Sequence, residues 1–198
     1  MNITLSMPQL IYPRDDQFVL GNTEINKKQL EIFRKLPRTN IITHNDIPVY
    51  LTRFKGKDTL YAEFQDQIVY FMTMGIKTYD LVNRSCVTQL LVWKQKTVPF
   101  ELDDLPMNIF FDFLVKRYKN VLSDSQQTEG GSRFWINRIK ESIQKGINVY
   151  YCDFVKKTIE KVDRNNLQNF ISLAWSTAKI DRSKRFLITT DAIQTRAN

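Results

Sequence analysis

The chain has 198 residues, a formal net charge of +8, and a composition that is 42% hydrophobic and 25% charged. These values are typical of a globular protein and exclude a disordered chain, which would be poorer in apolar residues. Because this length suits one hydrophobic core, we expect a single domain over residues 1–190, followed by a flexible tail at 191–198.

Positive charge is spread evenly along the chain. Residues 1–100 hold thirteen Lys/Arg against nine Asp/Glu, and residues 101–198 hold sixteen against twelve. Nucleic-acid binders more often concentrate such charge, so this distribution suits an anionic cofactor or partner and equally plain solubility. No apolar run reaches the length of a bilayer span, and the first residues lack the pattern of a signal peptide. We therefore expect a cytoplasmic protein without a membrane span.

The first half of the chain predicts a helix followed by antiparallel strands. Leu30, Phe33 and Leu36 recur at helical spacing. Asn26 is the expected N-cap of this helix, and Pro37 is the expected stop. Bursts of alternating apolar and polar residues then predict strands at 49–54, 60–64, 68–72 and 87–93. The turns between these strands are short, which requires antiparallel neighbours.

The second half predicts alternating helices and strands. The expected elements are a helix from Leu105 to Tyr118, a strand at Val121-Leu122, a helix from about Phe134 to Gly146, a strand at 147–152, a helix at 165–175 and a strand at 186–189. The predicted fold class is therefore α/β, or α+β-like, with a mixed sheet. An antiparallel meander comes first in this sheet, and alternating helices and strands follow.

A polar run from Ser123 to Ser132 lies where a strand hands over to a helix. Open α/β sheets usually bind their ligands at such a position. Asp124 is the predicted general base, and the Ser123 hydroxyl is a second candidate catalytic group. Gly130-Gly131 would permit close backbone approach before the helix N-terminus. The alternative is an ordinary helix cap.

The same run supplies four predicted substrate-binding residues, Gln127, Thr128, Arg133 and Trp135. A guanidinium and an indole can meet an anionic or planar group, although the alternative for Trp135 is core packing. Tyr150 and its neighbour Tyr151 should point to opposite faces of a strand. Tyr150 is the candidate general acid, and core packing with a satisfied hydroxyl is the alternative.

Other residues give weaker signals. Cys86 and Cys152 lie in apolar strand-like runs and are predicted to be buried thiols. His44 lies beside a turn that has no serine, so we expect a surface histidine and no catalytic relay. With one histidine in the chain and no cysteine cluster, no metal site is expected. Lys184 and Arg185 belong to a basic group predicted to be solvated, with phosphate contact as the alternative.

This succession of elements resembles the GNAT acyltransferase fold over roughly residues 45–190. The stretch from Phe110 through Ser123–Trp135 to Tyr150 is also similar to a group of uncharacterised phage and prophage proteins with an acyltransferase-like arrangement. The resemblance implies an enzyme that transfers an acyl group from a thioester to an amine or another nucleophile. The implied partners are an acyl donor and an amine acceptor.

One stretch departs from the GNAT pattern. In GNAT enzymes a glycine-containing loop before the central helix holds the pyrophosphate of coenzyme A. The corresponding stretch here, from Trp93 to Asp104, contains no glycine and ends in two aspartates, which would repel a pyrophosphate. Lys94 and Lys96 are the residues that could bind the cofactor there. Either acyl-coenzyme A or acylated carrier protein would be the donor.

A second hypothesis is a non-catalytic phage protein, either a virion component or a host-takeover factor. It would use the same fold to bind a virion protein, a host protein or nucleic acid. The missing pyrophosphate loop and the charge of +8 favour this alternative. Turnover that is lost when Asp124 or Gln127 is replaced would indicate the enzyme. Retention of the protein on DNA or RNA that depends on salt would indicate the nucleic-acid binder.

Overall fold

The elements of this chain are both helical and extended, and its strands pair in both directions. A computed structural model describes residues 23–95, 102, 104–124, 129–175 and 183–193. The described residues group into two compact units. The first lies within Met1–Gly75 and Gln89–Ile109, and the second within Ile76–Thr88 and Phe110–Asn198. The predicted mixed α/β class is confirmed, whereas a single domain over 1–190 stays a prediction.

The described helices are α1 (Thr23–Lys35), α2 (Leu105–Asn108), a π-helical segment (Ile109–Val115), α3 (Lys116–Tyr118), α4 (Glu129–Gln144) and α5 (Leu167–Trp175). The described strands are β1 (Arg38–His44), β2 (Ile47–Phe54), β3 (Lys57–Phe64), β4 (Gln67–Tyr79), β5 (Arg84–Lys94), β6 (Asn120–Leu122), β7 (Asn148–Asp153), β8 (Thr158–Val162) and β9 (Lys184–Thr189). None of the described helices is long and apolar enough to cross a membrane.

The first unit contains the predicted meander, with β1 to β5 adjacent in chain order. The pairs β1–β2, β2–β3 and β3–β4 are antiparallel. Two-residue turns join them, and left-handed residues such as Asn45 and Gln65 occupy those turns. The sequence did not predict β1, because this edge strand has no fully buried residue and so lacks an apolar face.

Helix α1 packs on the meander through Leu30 and Phe33, both buried. The Phe33 ring lies 4.9 Å from the ring of Tyr61 and stacks on Phe71 at 5.9 Å between centroids. The predicted helix is therefore present, but its expected cap is wrong. Helix α1 begins at Thr23, so Asn26 lies inside it.

Asn26 is buried at 1% exposure and bonds to a strand rather than to its own helix. Its Nδ2 donates to the carbonyl oxygen of Ile68 at 2.9 Å, and the Ile68 amide donates to its Oδ1 at 2.6 Å. A side-chain amide carries one donor and one acceptor group, so it can satisfy both polar groups of a strand residue. This pairing ties α1 to β4.

The helix predicted from Leu105 to Tyr118 is helical throughout, but its centre is not α-helical. Ile109–Val115 forms a π-helix between two short α-helical ends. Phe110 and Leu114 on this segment are fully buried. Such π-helical insertions are rare and often lie at functional sites.

In the second unit the strand order is β5-β6-β9-β7-β8, and residues 84–88 of β5 belong to this unit. Strand β6 is parallel to β5 at the pair Val87↔Val121, whereas β9 is antiparallel to both β6 and β7. The last described strand, β9, thus lies between two earlier strands. The sequence did not predict β8, which pairs with β7 through a tight hairpin.

The two faces of this sheet bury different residues. On one face Tyr151 stacks on Phe170 of α5 at 4.7 Å, and Phe186 packs 4.9 Å from Trp175. The other face carries a cluster formed by Val82, Cys86, Leu122, Tyr150, Cys152 and Leu187. Tyr150 and Tyr151 therefore pack against different partners, as strand alternation predicts.

Two predicted boundaries shift in the second unit. Helix α4 begins at Glu129, so Gly131 lies in its first turn rather than in a loop before it. The expected glycine loop at the helix N-terminus was therefore wrong. In the predicted tail, Asp191, Ala192 and Ile193 are described and hydrogen-bonded to the unit, and residues 194–198 lie outside the described residues.

Candidate functional site

The end of β6 carries the two residues that the sequence put forward first. Ser123 is fully buried and continues the pairing with β9. Its amide donates to the Phe186 carbonyl at 2.8 Å, and the Phe186 amide donates to the Ser123 Oγ at 3.0 Å. The hydroxyl thus takes the place of a backbone acceptor in the strand ladder. These hydrogen bonds give Ser123 a structural role, and its catalytic role stays a prediction.

Asp124 follows directly and is partly buried. Burial raises the pKa of its carboxyl from 3.8 to about 7, against the attraction of Arg185 and a backbone hydrogen bond, which both lower it. A carboxyl with a pKa near 7 is present in both protonation states at neutral pH. It can therefore accept or return a proton under those conditions.

Arg185 lies next to Asp124 because of the strand register. The register ends at Leu122↔Leu187, and Ser123 bonds to Phe186, so extending it by one more residue brings Asp124 opposite Arg185. On the other side of β9, Arg185 pairs with Cys152. Cross-strand neighbours project from the same face of a sheet. Asp124, Arg185 and Cys152 therefore form one row across β6, β9 and β7.

Two aromatic rings hold the Arg185 guanidinium in place. Its Nη1 donates to the Tyr79 hydroxyl at 3.1 Å. The guanidinium carbon lies 5.4 Å from the centre of the Tyr79 ring and 5.3 Å from that of Phe154. These contacts are within the range of cation–π attraction. We call Tyr79, Asp124, Phe154 and Arg185 the strand-end site.

Tyr150, the predicted general acid, lies outside this site and has a different role. The amide of Ile193 donates to its hydroxyl at 2.9 Å, and the hydroxyl donates to the Ile193 carbonyl at 3.5 Å. The ring is buried at 2% exposure. The alternative of core packing with a satisfied hydroxyl is what the structure shows. Tyr150 anchors the residues after β9.

A second contact holds the same residues. Arg84 forms an ion pair with Asp191 at 3.3 Å and donates to the Ala192 carbonyl at 3.5 Å. The Ile193 side chain packs on the buried cluster that contains Tyr150. Residues 191–193 thus cover the part of this cluster that contains Tyr150.

Of the four predicted substrate-binding residues, the structure describes Arg133 and Trp135. Trp135 is 3% exposed and packs edge-to-face on Phe110 at 5.7 Å, so its indole belongs to the core. Arg133, two residues earlier on α4, is exposed. Gln127 and Thr128 lie outside the described residues, so their predicted role stays a prediction.

Of the two predicted cofactor lysines, the structure describes Lys94. Lys94 is the last residue of β5 in the first unit and is partly buried. Lys96 lies outside the described residues. Asp104 precedes α2 without a side-chain hydrogen bond to cap it. The expected pyrophosphate contact therefore stays a prediction.

The two cysteines are buried free thiols, as predicted. Burial raises the pKa of Cys86 to about 11 and that of Cys152 to about 12. Because the thiolate is the nucleophile, neither thiol is activated at neutral pH. The described residues include no group of three or more His, Cys, Asp or Glu that could hold a metal ion.

His44 is partly buried at the end of β1 rather than in the expected exposed turn. Its Nδ1 is 2.9 Å from the Nδ2 of Asn108, and its Nε2 is 3.3 Å from the Nδ2 of Asn45. Both ring nitrogens therefore have amide neighbours. This arrangement orients the imidazole, and its hydrogen-bond neighbours among the described residues are amides rather than hydroxyls.

No protein-family model matches the chain, and no curated protein is significantly similar to it in sequence. The geometry of the strand-end site is therefore the basis for a functional argument. Sequence reasoning found Asp124 but missed Tyr79 and Phe154. The register of β9 brings these residues to one place, and no local sequence pattern reveals a pairing between distant strands.

Proposed function

We propose that this protein is an acyltransferase-like enzyme with a GNAT-like fold, in which Asp124 is the general base. The observation that carries the proposal is the position of Asp124, partly buried at the end of β6, with its pKa raised to about 7. Enzymes tune catalytic carboxyls to such values by burial, because a base works best near the ambient pH.

The order of elements supports the same proposal. Helix α1, the meander up to β5, the helical segment from Leu105, then β6, α4 and β7 follow the succession on which the GNAT resemblance rests. The parallel pairing of β5 with β6 follows from the helical connection between them. Asp124 then occupies the end of a central strand, where ligands bind in open α/β sheets.

The proposed step is the attack of an amine on a thioester. The Asp124 carboxylate takes a proton from the amine, and the nitrogen lone pair forms a C–N bond with the thioester carbonyl carbon. The C–S bond breaks, and the sulfur leaves as a thiolate that is protonated to a free thiol. An amide and a thiol are the products, and the proton passes from Asp124 to solvent or to the thiolate.

The proposed donor is acyl-coenzyme A or an acylated carrier protein. The test is release of free thiol in the presence of each donor and a panel of primary amines, with mass spectrometry of the amide product. The Asp124→Asn variant should lose at least about a hundredfold in turnover, since general base catalysis contributes about that much. The rate of the unaltered protein should rise with pH through about 7.

Asp112→Asn is the matched control. Asp112 is exposed on the π-helical segment and pairs with Lys116 at 2.7 Å, so this variant removes one carboxylate away from the strand-end site. Its turnover should equal that of the unaltered protein. Equal turnover in Asp124→Asn and Asp112→Asn would contradict the role of Asp124 as the general base. If no donor releases a free thiol, the proposal of an acyltransferase is wrong.

A second candidate is the non-catalytic binding role, which the β7–β8 turn favours. Val155 is 76% exposed there, and Lys156 and Lys157 beside it are exposed. Asp153 orders this turn, since its Oδ1 accepts from the amides of Val155 and Lys156 at 3.0 and 2.9 Å. An ordered basic turn suits a nucleic acid or an acidic protein of virion or host. Replacing both lysines with Gln should then reduce salt-dependent retention on RNA or DNA.

A further inference from the structure

The Arg185 side chain has one buried nitrogen, the Nε, that lacks a hydrogen-bond partner among the described residues. Its Nη1 donates to Tyr79, so the group is held in one orientation rather than moving freely. A buried N–H that forms no hydrogen bond costs free energy, and native structures keep few of them. Such a donor calls for an acceptor that the described part of the chain does not supply.

We propose that Arg185 binds an oxyanion, a carboxylate or a phosphate, carried by the acceptor amine. The guanidinium presents a planar fork of N–H donors that matches such groups in a bidentate manner. Because the neighbours of Asp124 and Arg185, Ser123 and Phe186, are hydrogen-bonded to each other, the oxyanion would be fixed close to the base. This inference rests on the proposed acyl transfer. It predicts that the acceptor substrate is an amine that also carries an anionic group.

The charges around Arg185 leave its cation partly unbalanced. Asp124 attracts it, but burial keeps the carboxyl about half protonated near neutral pH. Cys152, its neighbour on β7, is a neutral thiol because burial raises its pKa to about 12. Tyr79 offers a neutral hydroxyl. An incoming oxyanion would therefore meet net positive charge here.

The ring contacts favour a fixed site over a solvated arginine. The Tyr79 and Phe154 rings lie 5.4 Å apart, and both are within reach of the guanidinium. A side chain held this way loses little further freedom when it binds a ligand, which increases affinity. Lysine would supply the charge without the fork or the ring contacts.

The first experiment measures binding without turnover. Inorganic phosphate and acetate are titrated at constant ionic strength, and the ¹⁵N-detected Nε–H resonance of Arg185 is followed in the full chain. A saturable shift of this resonance with either probe is expected. An Nε–H resonance that is unaffected by both probes would overturn the inference, and this readout needs no variant that could fail to fold.

Calorimetry on variants then tests the residue. Arg185→Met should weaken binding of the probe at least about tenfold, as expected for the loss of a charge-assisted contact, and Arg185→Lys should weaken it less. Arg164→Met, which removes an exposed arginine elsewhere in the second unit, is the control for net charge. Equal weakening in the Arg164 and Arg185 variants would overturn the inference.

The last arm separates this inference from the proposed function. Turnover is compared between phosphoethanolamine and ethanolamine, and between β-alanine and ethylamine. Faster turnover of the anionic amine, reduced in Arg185→Lys, supports both the acyl transfer and the oxyanion site. The amine pair that shows this preference identifies the oxyanion as a phosphate or a carboxylate. Equal turnover of charged and neutral amines overturns the inference that the acceptor is an anionic amine, while the proposed acyl transfer stands. Probe binding that depends on Arg185, without turnover of any amine, supports the oxyanion site and overturns acyl transfer.

Discussion

Asn26 in the first unit and Arg185 in the second both place polar side-chain atoms in buried surroundings, with opposite results. Asn26 exchanges two hydrogen bonds with Ile68, so each partner satisfies the other. Arg185 has a buried Nε without a partner among the described residues, and its carboxyl neighbour Asp124 is pushed toward neutrality. Both residues have buried polar atoms, but the buried Nδ2 and Oδ1 of Asn26 have hydrogen-bond partners, whereas the buried Nε of Arg185 has none among the described residues.

The difference separates structural from functional polar residues in this chain. A buried group with a complete set of partners stabilises the fold and offers nothing to a ligand. A buried group with an incomplete set costs stability and retains the capacity to bind or to exchange a proton. Ser123 and Tyr150 behave like Asn26, whereas Arg185 retains a buried donor without a partner among the described residues, and Asp124 retains a carboxyl that can exchange its proton near neutral pH. Four substitutions test this division.

The largest loss of stability is expected for Asn26→Ala. The substitution leaves the amide and the carbonyl of Ile68 buried without partners, and each such group costs about 1–3 kcal/mol. Urea unfolding should show this loss, whereas Asn169→Ala, at an exposed position of α5, should change stability by about 0.5 kcal/mol or less. Similar losses of stability at the two positions would contradict the division between structural and functional polar residues.

Asp124→Asn should change how stability depends on pH. Burial raises the folded-state pKa from 3.8 to about 7, so the folded state binds the proton more tightly than the unfolded state does. The stabilisation from the neutral carboxyl is complete below about pH 4 and is lost as pH rises to about 7. The variant cannot ionise, so its stability relative to the unaltered protein should increase between pH 5 and 8, on the order of 1–3 kcal/mol. Parallel pH curves from urea unfolding would contradict this expectation.

Ser123→Ala tests the structural role of the hydroxyl. The Phe186 amide would lose its acceptor, which costs about 1–3 kcal/mol in a buried position. Ser172→Ala is the control, because Ser172 is exposed on α5 and bonds only within its own helix turn through Gln168. Amide hydrogen exchange at Phe186 should accelerate in the first variant alone. Unchanged exchange there, with lost turnover, would restore Ser123 as a catalytic candidate.

Tyr150→Phe should have the smallest effect. It removes the acceptor of the Ile193 amide but leaves the ring in its cluster, so the expected loss is about 0.5–1.5 kcal/mol. Hydrogen exchange at Ile193 should increase while turnover stays within about twofold. A turnover loss of a hundredfold with unchanged exchange would assign Tyr150 to the chemistry instead.

Much of the fold could be predicted from the sequence, because its signals are local. The apolar spacing in α1 and the alternation in β2, β3 and β4 depend on neighbouring residues only, and these elements were found. The edge strand β1 was missed because its side chains are mostly exposed. The N-cap assigned to Asn26 was wrong because a distant strand, β4, supplies its partners.

The site could be predicted only in part, for the same reason. Asp124 was found because a polar run after an apolar strand is visible in the sequence. Tyr79, Phe154 and Arg185 come together through the pairing of β9 between β6 and β7 and through the end of β4, which are long-range arrangements. The partners of Ser123 and Tyr150 are equally distant in sequence, so their hydroxyls resembled catalytic groups.

The most direct test of the account is the titration of the Asp124 carboxyl itself. The ¹³Cγ resonance of Asp124, assigned by comparison with Asp124→Asn, is followed between pH 3 and 9 in the full chain. A midpoint near 7 is expected, since burial outweighs the attraction of Arg185. The midpoint should rise further in Arg185→Met, which removes that attraction. A midpoint near the ordinary value of 3.8 would contradict the account, because Asp124 would then be a solvated carboxylate without the properties of a base at neutral pH.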